Sequence, residues 1–275
     1  MSVSSADVLD ELVEAFKVGS RDYAHLETPD DEEGKRELLQ ALMNIRMPAP
    51  LDERTQRLQD IYLQARVREH GIVHVDDLSE MRDGLYLWQG DITRLDADAI
   101  VNAANSEMLG CFAPLHACID NAIHTAAGVQ LRQECARQMN ELRETYGPHY
   151  EQPTAVPMLT PAYNLPSKHV VHIVGPIIQD DETVASGKQV SERDKELLAQ
   201  CYTATLDLCA QQGLDSVAFC CISTGVFHFP ADRAARIAVD TVEEWKKNHP
   251  GAVERIIFNV FSDADRQYYE ELLGV

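Results

Sequence analysis

From residue 84 onward the sequence alternates between strand-length apolar runs and helix-length stretches, and no other feature restricts the fold as strongly. LYLWQGDI (85–92), AIVNAAN (99–105), AVPMLT (155–160), HVVHIV (169–174), SVAFCCI (216–222) and RIIFNVF (255–261) read as strands. Helix-length stretches fill about 116–139, 191–212, 231–248 and 263–273. Strands alternating with helices of this length predict an α/β layer fold with a largely parallel central sheet. The near-continuous apolar run 216–222 suits a strand covered on both faces.

Residues 1–83 follow a different pattern. Val8, Leu9, Leu12, Val13 and Phe16 repeat at helical spacing, as do Leu38, Leu39, Leu42 and Met43. Thr28-Pro29-Asp30-Asp31 breaks the first helix from the second, and MPAPLDE (47–53) breaks the second from a third. The expected organisation is a helical N-terminal extension (1–83) followed by an α/β domain (84–275), with the extension packing on the domain. The chain has no internal repeat and no low-complexity segment.

Charge narrows the partners. Asp and Glu number 45 against 24 Lys and Arg, a formal net charge of −21. Duplex nucleic acid and anionic membrane bind through clustered Lys and Arg, so neither is expected as a partner. No apolar run approaches the ~18 residues of a membrane span. The N-terminal MSVSSADVLDELVEAF lacks the basic and apolar regions of a signal peptide. Seven cysteines, an odd number, fit reduced thiols in a cytoplasmic protein better than a disulfide scaffold. Cys135, Cys201, Cys209, Cys220 and Cys221 lie in apolar runs and read as buried structural thiols.

Ligands of such sheets sit beyond the carboxyl ends of strands, and three segments there carry unusual residues. Gly90-Asp91-Ile92-Thr93 places an Asp where it either caps the next turn or accepts from an exocyclic amine. The strand AIVNAAN carries Asn102 and Asn105, both costly to bury without partners. Cys111, His116 and Cys118 follow as C-x4-H-x-C. These are zinc-ligand types, but the spacing matches no familiar finger pattern and no second Cys/His pair stands nearby. Three protein ligands would leave one position open, the catalytic arrangement; buried thiols and a helix N-terminal His are the alternative. His124 reads as a core histidine on an apolar helix face. Ser223-Thr224-Gly225-Val226-Phe227-His228 joins a buried strand to a helix, as a phosphate cradle of backbone N–H groups or as a plain tight turn.

Taken in order, GDIT (90–93), VNAAN (101–105), IDNAIHTAAG (119–128), NLPSKHVVHIVGP (164–176), ISTGVFHFP (222–230) and FNVFSDADRQYY (258–269) resemble a macrodomain, the module that binds ADP-ribose. The resemblance spans about 190 residues. It departs from the common pattern in the loop GCFAPLHAC, where Cys118 replaces a usual Gly. In this the chain is similar to the zinc-containing macrodomain subclass, which also has a helical N-terminal extension. That subclass often accompanies a sirtuin that attaches ADP-ribose to a lipoyl carrier protein.

The resemblance implies a three-layer α/β/α macrodomain with a mixed, largely parallel sheet. It implies one Zn2+ per chain held by Cys111, His116 and Cys118. Asp91 would bind the adenine amine and Ile92 would supply a backbone contact. Asn105 would hold the distal ribose, with Cys118, Ile119, Asp120 and Asn121 lining the ribose and pyrophosphate. Ser223, Thr224, Gly225, Val226 and Phe227 would cradle the phosphates, while Asn102 would pin the loop. His228 stands where many family members have Gly. The implied activity is zinc-dependent removal of mono-ADP-ribose from a modified protein side chain, with Asn105, Asp120, Cys111, His116 and Cys118 as catalytic residues. An ADP-ribose reader, an O-acetyl-ADP-ribose deacetylase and a purely structural zinc module are the rivals. Residues 95–131 and 196–232 contain no Lys or Arg, so a diphosphate there would rest on backbone N–H groups and helix N-termini.

Overall fold

The computed structural model describes residues 5–20, 23–178 and 190–274, and every candidate site residue lies within them. The first residues of the segment weighed as a signal peptide, 1–4, lie outside. Among the described residues seven strands form one sheet: β1 (Glu80–Arg82), β2 (Leu85–Gln89), β3 (Ala99–Ala104), β4 (Met158–Pro161), β5 (His169–Val174), β6 (Ser216–Phe219) and β7 (Arg255–Val260). Their order is β1-β2-β7-β6-β3-β5-β4. The five inner strands are parallel, and the edge strands β1 and β4 are antiparallel to their neighbours. The sheet is therefore mixed and largely parallel, and the inner strands carry the apolar residues seen as near-continuous runs.

Helices cover both faces. After β3 come α4 (Ile119–Ala127) and α5 (Val129–Tyr146), which pack on β3 and β4. On the other side α6 (Glu192–Gln211), α7 (Ala231–Asn248) and α8 (Asp263–Leu273) pack against one another. The single helix expected at 116–139 is two helices. Gly128 ends α4 and starts α5 at φ +94°, and its N–H returns to the carbonyls of His124 and Thr125. A Cβ at Gly128 would sit 2.7 Å from Gln130 Oε1 and 2.8 Å from Gln59 Nε2, so only glycine makes this corner. β1 is a strand the pattern did not announce: it has three residues, too few for a period to register.

The extension folds as α1 (Ser5–Val18), α2 (Glu32–Ile45) and α3 (Glu53–His70). Asp31 and Asp52 cap α2 and α3 by accepting from backbone N–H groups of the first turn. Val8, Leu12, Phe16, Leu39, Leu42 and Leu63 make a small second core that closes on Val129 of α5. The extension lies against α4 and α5, the helices that follow the proposed metal loop, not across the sheet.

Candidate functional site

The parallel strands send their carboxyl ends to one edge of the molecule, and the sheet opens there. β3 pairs with β6 only through Ala99 and Ile100, opposite Val217 and Ala218, while it follows β5 to Ala104. The loops after β3 and β6 diverge from that point, which makes the crevice in which α/β sheets bind ligands.

At one side of the edge stands Asp91, capping a 3-10 turn (Ile92–Arg94). Its carboxylate accepts from Thr93 N–H at 3.0 Å and from the Thr93 hydroxyl at 2.7 Å. Ile92 is buried behind it. Gly90 N–H donates to Val260 O at 2.9 Å, so the turn lies beside the end of β7, where the Phe261 ring is 79% exposed. A cavity of about 250 Å3 separates this turn from the extension, with Arg36, Tyr62, Arg66, Asp91, Arg94 and Thr125 among its walls.

The loop after β6 is compact. Phe229 N–H donates to Ser223 O at 2.9 Å and His228 N–H to Gly225 O at 3.0 Å. Ser223 holds φ +66°, buried, and its hydroxyl has no partner among the described residues. Gly175 admits this arrangement, since a Cβ there would lie 2.1 Å from Ser223 Oγ. Gly225 and Val226 are exposed at the tip, with Thr224 and Phe227 half-buried beside them. His228 is exposed at φ +61°.

Between these lies the loop after β3. Cys111 Sγ is 3.7 Å from His116 Nδ1, and the ligand atoms of Cys111, His116 and Cys118 all lie within 4.8 Å of one another. A tetrahedral zinc with usual Zn–S and Zn–N bonds requires S···N edges of about 3.6 Å. The donor set and its spacing therefore fit zinc. The cluster is half-buried at both thiols and exposed at His116, so solvent reaches it. Cys118 is the N-cap of α4, its Sγ accepting from Asn121 N–H at 3.4 Å. Burial pushes its thiol up to about 11, against the opposing pull of that N–H; a cation bound beside it would favour the thiolate.

In the first turn of α4, Asp120 is 5% exposed. Its Oδ1 accepts from Asn102 Nδ2 at 2.8 Å and lies 3.4 Å from His124 Nε2. Burial raises the Asp120 carboxyl to about 6, with the Asn102 hydrogen bond opposing the rise. Asn102 is the β3 register partner of His172 on β5 and also donates to His172 Nδ1 at 3.1 Å. A neutral ring that accepts at Nδ1 carries its proton on Nε2, which lies 3.0 Å from Thr160 Oγ1. Burial holds His172 down to about 3, so the ring is neutral.

Asn105, Asn121 and Ile119 complete the set. The Asn105 side chain bridges its own loop, donating to Gly110 O at 3.2 Å and accepting from Glu107 N–H at 3.1 Å. Buried Asn121 donates from Nδ2 to Ala113 O at 3.0 Å and to His116 O at 3.2 Å. Ile119 is half-buried against the core. The structure thus brings Asn105, Cys111, His116, Cys118, Asp120 and Asn121 into one loop and helix start, and Asp91 and residues 223–227 to the same edge of the sheet. Asn102 sits behind Asp120.

Four residues of this region escaped the sequence reading: Phe261, His172, Arg132 and Asn44. A His inside the run HVVHIV, and an Asn within the apolar stripe Leu39-Leu42-Met43, were the available signals.

Known proteins resemble the chain along nearly its whole length. A family model described as Macro domain matches residues 101–238. A protein-ADP-ribose hydrolase of Treponema medium is 49% identical over 267 residues, covering 96% of this chain and 97% of the relative. A protein of the same name from Staphylococcus aureus (strain MRSA252) is 41% identical over 264 residues, covering 96% and 94%. Among solved structures, a Trypanosoma brucei macrodomain in complex with ADP-ribose superposes with a TM-score of 0.64 at 27% identity, covering 85% of this chain and 95% of that one.

Proposed function

The chain belongs to the macrodomain family, and from that premise we propose that it hydrolyses ADP-ribose from modified protein side chains with one Zn2+ held by Cys111, His116 and Cys118. It is an enzyme of the protein-ADP-ribose hydrolase type, like the relatives it matches over nearly its whole length. The observation that carries the zinc reading is the convergence of two thiols and an imidazole, all within 4.8 Å of one another, on an exposed loop beside a buried carboxylate. Residues 1–83 are read as a helical extension and 84–275 as the macrodomain.

In this reading Asp91 accepts the adenine amine, Ile92 offers its backbone, and the exposed Phe261 ring presents a face on which the base stacks. Backbone N–H groups of the 223–227 turn receive the diphosphate. That arrangement explains how a chain of net charge −21 takes an anionic ligand: no Lys or Arg lies in that loop. The start of α4, Cys118 to Asn121, lines the distal ribose, and its helix dipole favours the neighbouring phosphate. A bound zinc ion supplies Lewis-acid chemistry beside that sugar. Asp120 and Asn105 orient the ribose, and such positioning lowers barriers by up to about 7–11 kcal/mol in the best cases. The hydrogen bond from Asn102 fixes the Asp120 carboxylate for this role.

The substrate is a protein carrying mono-ADP-ribose, with a lipoyl carrier protein as the partner suggested by the zinc-containing subclass. The chain acts in the cytoplasm, a placement supported by its seven free cysteines; no described helix is long and apolar enough to cross a membrane. Nucleic acid is not a partner at this charge.

Zinc content and turnover of Cys111→Ala, His116→Ala and Cys118→Ala test the proposal together. Each variant is expected to lose metal and at least 100-fold in rate while still binding ADP-ribose. A zinc-free variant with full turnover would overturn it.

A further inference from the structure

We propose that the N-terminal extension is part of the active site, and that Asn44, at the end of α2, is a positioning residue that sets the shape and metal affinity of the loop bearing Cys111, His116 and Cys118. The metal-affinity half of this inference rests on the zinc reading above; the loop-shape half does not.

Residues 105–118 contain no helix or strand, so contacts from outside must hold them. Asn44 is 1% exposed and uses both ends of its amide across the boundary. Its Oδ1 accepts from Leu115 N–H at 3.0 Å and from Asn121 Nδ2 at 3.3 Å, while its Nδ2 donates to Thr125 Oγ1 at 2.9 Å. Leu115 stands at φ +55°, a left-handed conformation that a leucine keeps only when its surroundings enforce it. The next residue is His116. Asn44 therefore grips the strained residue that aims a metal-ligating imidazole, and also the Asn121 side chain that holds the His116 carbonyl.

A second contact ties the same helix end to the same loop. Arg132 of α5 is 4% exposed and donates to Met43 O at 3.1 Å, Asn44 O at 2.8 Å and Arg46 O at 2.6 Å, at the C-terminus of α2, where Met43 O also accepts from Arg46 N–H. The same guanidinium donates to Leu109 O at 2.7 Å and Cys111 O at 3.3 Å, and lies 4.3 Å over the Phe112 ring. The helix end, the guanidinium and the loop form one unit. Partners of this kind, one shell out from the ligands, commonly change metal affinity by about 10–100-fold when removed.

The test uses the full-length chain with Asn44→Ala, Asn44→Asp and Thr125→Val. Asparagine-to-aspartate keeps the acceptor for Leu115 and Asn121, and the Thr125 hydroxyl can turn to donate. Thr125→Val removes only the far anchor. Zinc affinity is read by chelator competition, and loop order by amide hydrogen exchange in metal-free protein. Asn44→Ala is expected to bind zinc at least tenfold more weakly and to speed exchange at Leu115 and His116, with protection of the sheet unchanged. Asn44→Asp is expected to stay within about threefold of the parent, and Thr125→Val to lie between. If Asn44→Ala does not fold, Asn44→Ser replaces it, with the same expectations. Unchanged exchange at 115–116 in a folded variant overturns the inference whatever the metal does. A parent chain that binds no zinc, with exchange still faster in the variant, overturns the zinc reading and leaves the clamp standing. Equal loss in Asn44→Asp and Asn44→Ala would also contradict the clamp.

Discussion

Asn102 on β3 donates to Asp120 at the start of α4 across 2.8 Å, and the buried His172 decides which way the Asn102 amide lies. Because His172 Nδ1 accepts the other Nδ2 hydrogen, the amide cannot turn its oxygen toward the carboxylate without losing both bonds. A buried carboxylate beside the Cys-His-Cys loop thus keeps a fixed donor.

Replacing Asn102 by Leu removes that donor and leaves Asp120 buried without it. Charged hydrogen bonds contribute about 1.5–3 kcal/mol. The variant is expected to lose about 2 kcal/mol in urea unfolding and at least tenfold in kcat, with ADP-ribose affinity little altered. Stability and rate measured on the same preparation check this; unchanged kcat would show that Asp120 needs no fixed donor.

Burial of His172 and His124 makes stability depend on pH. Both rings are held neutral in the folded state, His172 down to about 3 and His124 well below its ordinary value, mainly by desolvation. The unfolded chain protonates both near 6.5. Their contribution is therefore intact above pH 6.5 and falls as pH drops toward the folded values. Asp120 works the other way. Raised to about 6, it takes up a proton in the folded state before the unfolded chain does, which offsets one histidine between about pH 6 and 4. The net expectation is a fall in stability as pH drops from 6 to 4, because two histidines outweigh one carboxyl. Urea midpoints at pH 7.5, 6, 5 and 4 check it, and His172→Asn is expected to flatten the slope.

Gly175→Ala is expected to disturb the proposed phosphate turn. Its methyl would overlap Ser223 Oγ at 2.1 Å and approach Ile222 Cγ2 at 2.9 Å. Calorimetry should show ADP-ribose binding about tenfold more weakly, or about 1.4 kcal/mol, with zinc content unchanged.

Phe261→Ala removes the exposed ring beside Asp91. The expected loss is about 1 kcal/mol, the usual scale of an aromatic stacking contact, appearing in ADP-ribose affinity and in KM but not in kcat.

The sheet was legible because each inner strand is a largely apolar run, broken only by single polar residues such as Asn102 and His172, and the helices α6, α7 and α8 because their boundaries carry caps, glycines and prolines. The corner at Gly128 was not, since the apolar pattern runs through it and only the backbone angle and the Gln59 and Gln130 side chains make it necessary. Asp91, the Cys-His-Cys loop and the 223–227 turn could be named from residue type and order. The support behind them could not. Asn102 and His172 meet across β3 and β5, and Asn44 reaches Leu115 across 71 residues of sequence; such pairings exist only once the chain has folded. The charge count argued against polyanionic partners and said nothing about the pocket. It also concealed Arg132, which lies one residue outside the window free of basic residues and enters the loop from the side.

In the proposed mechanism, hydrolysis depends on a zinc ion held by Cys111, His116 and Cys118. Release of ADP-ribose from a defined mono-ADP-ribosylated protein, followed on the full-length chain as purified, after chelation and after return of one equivalent of Zn2+, tests it most directly. Chelation is expected to abolish release and zinc to restore it, with ADP-ribose bound throughout. Full release by protein shown to be zinc-free would contradict the mechanism.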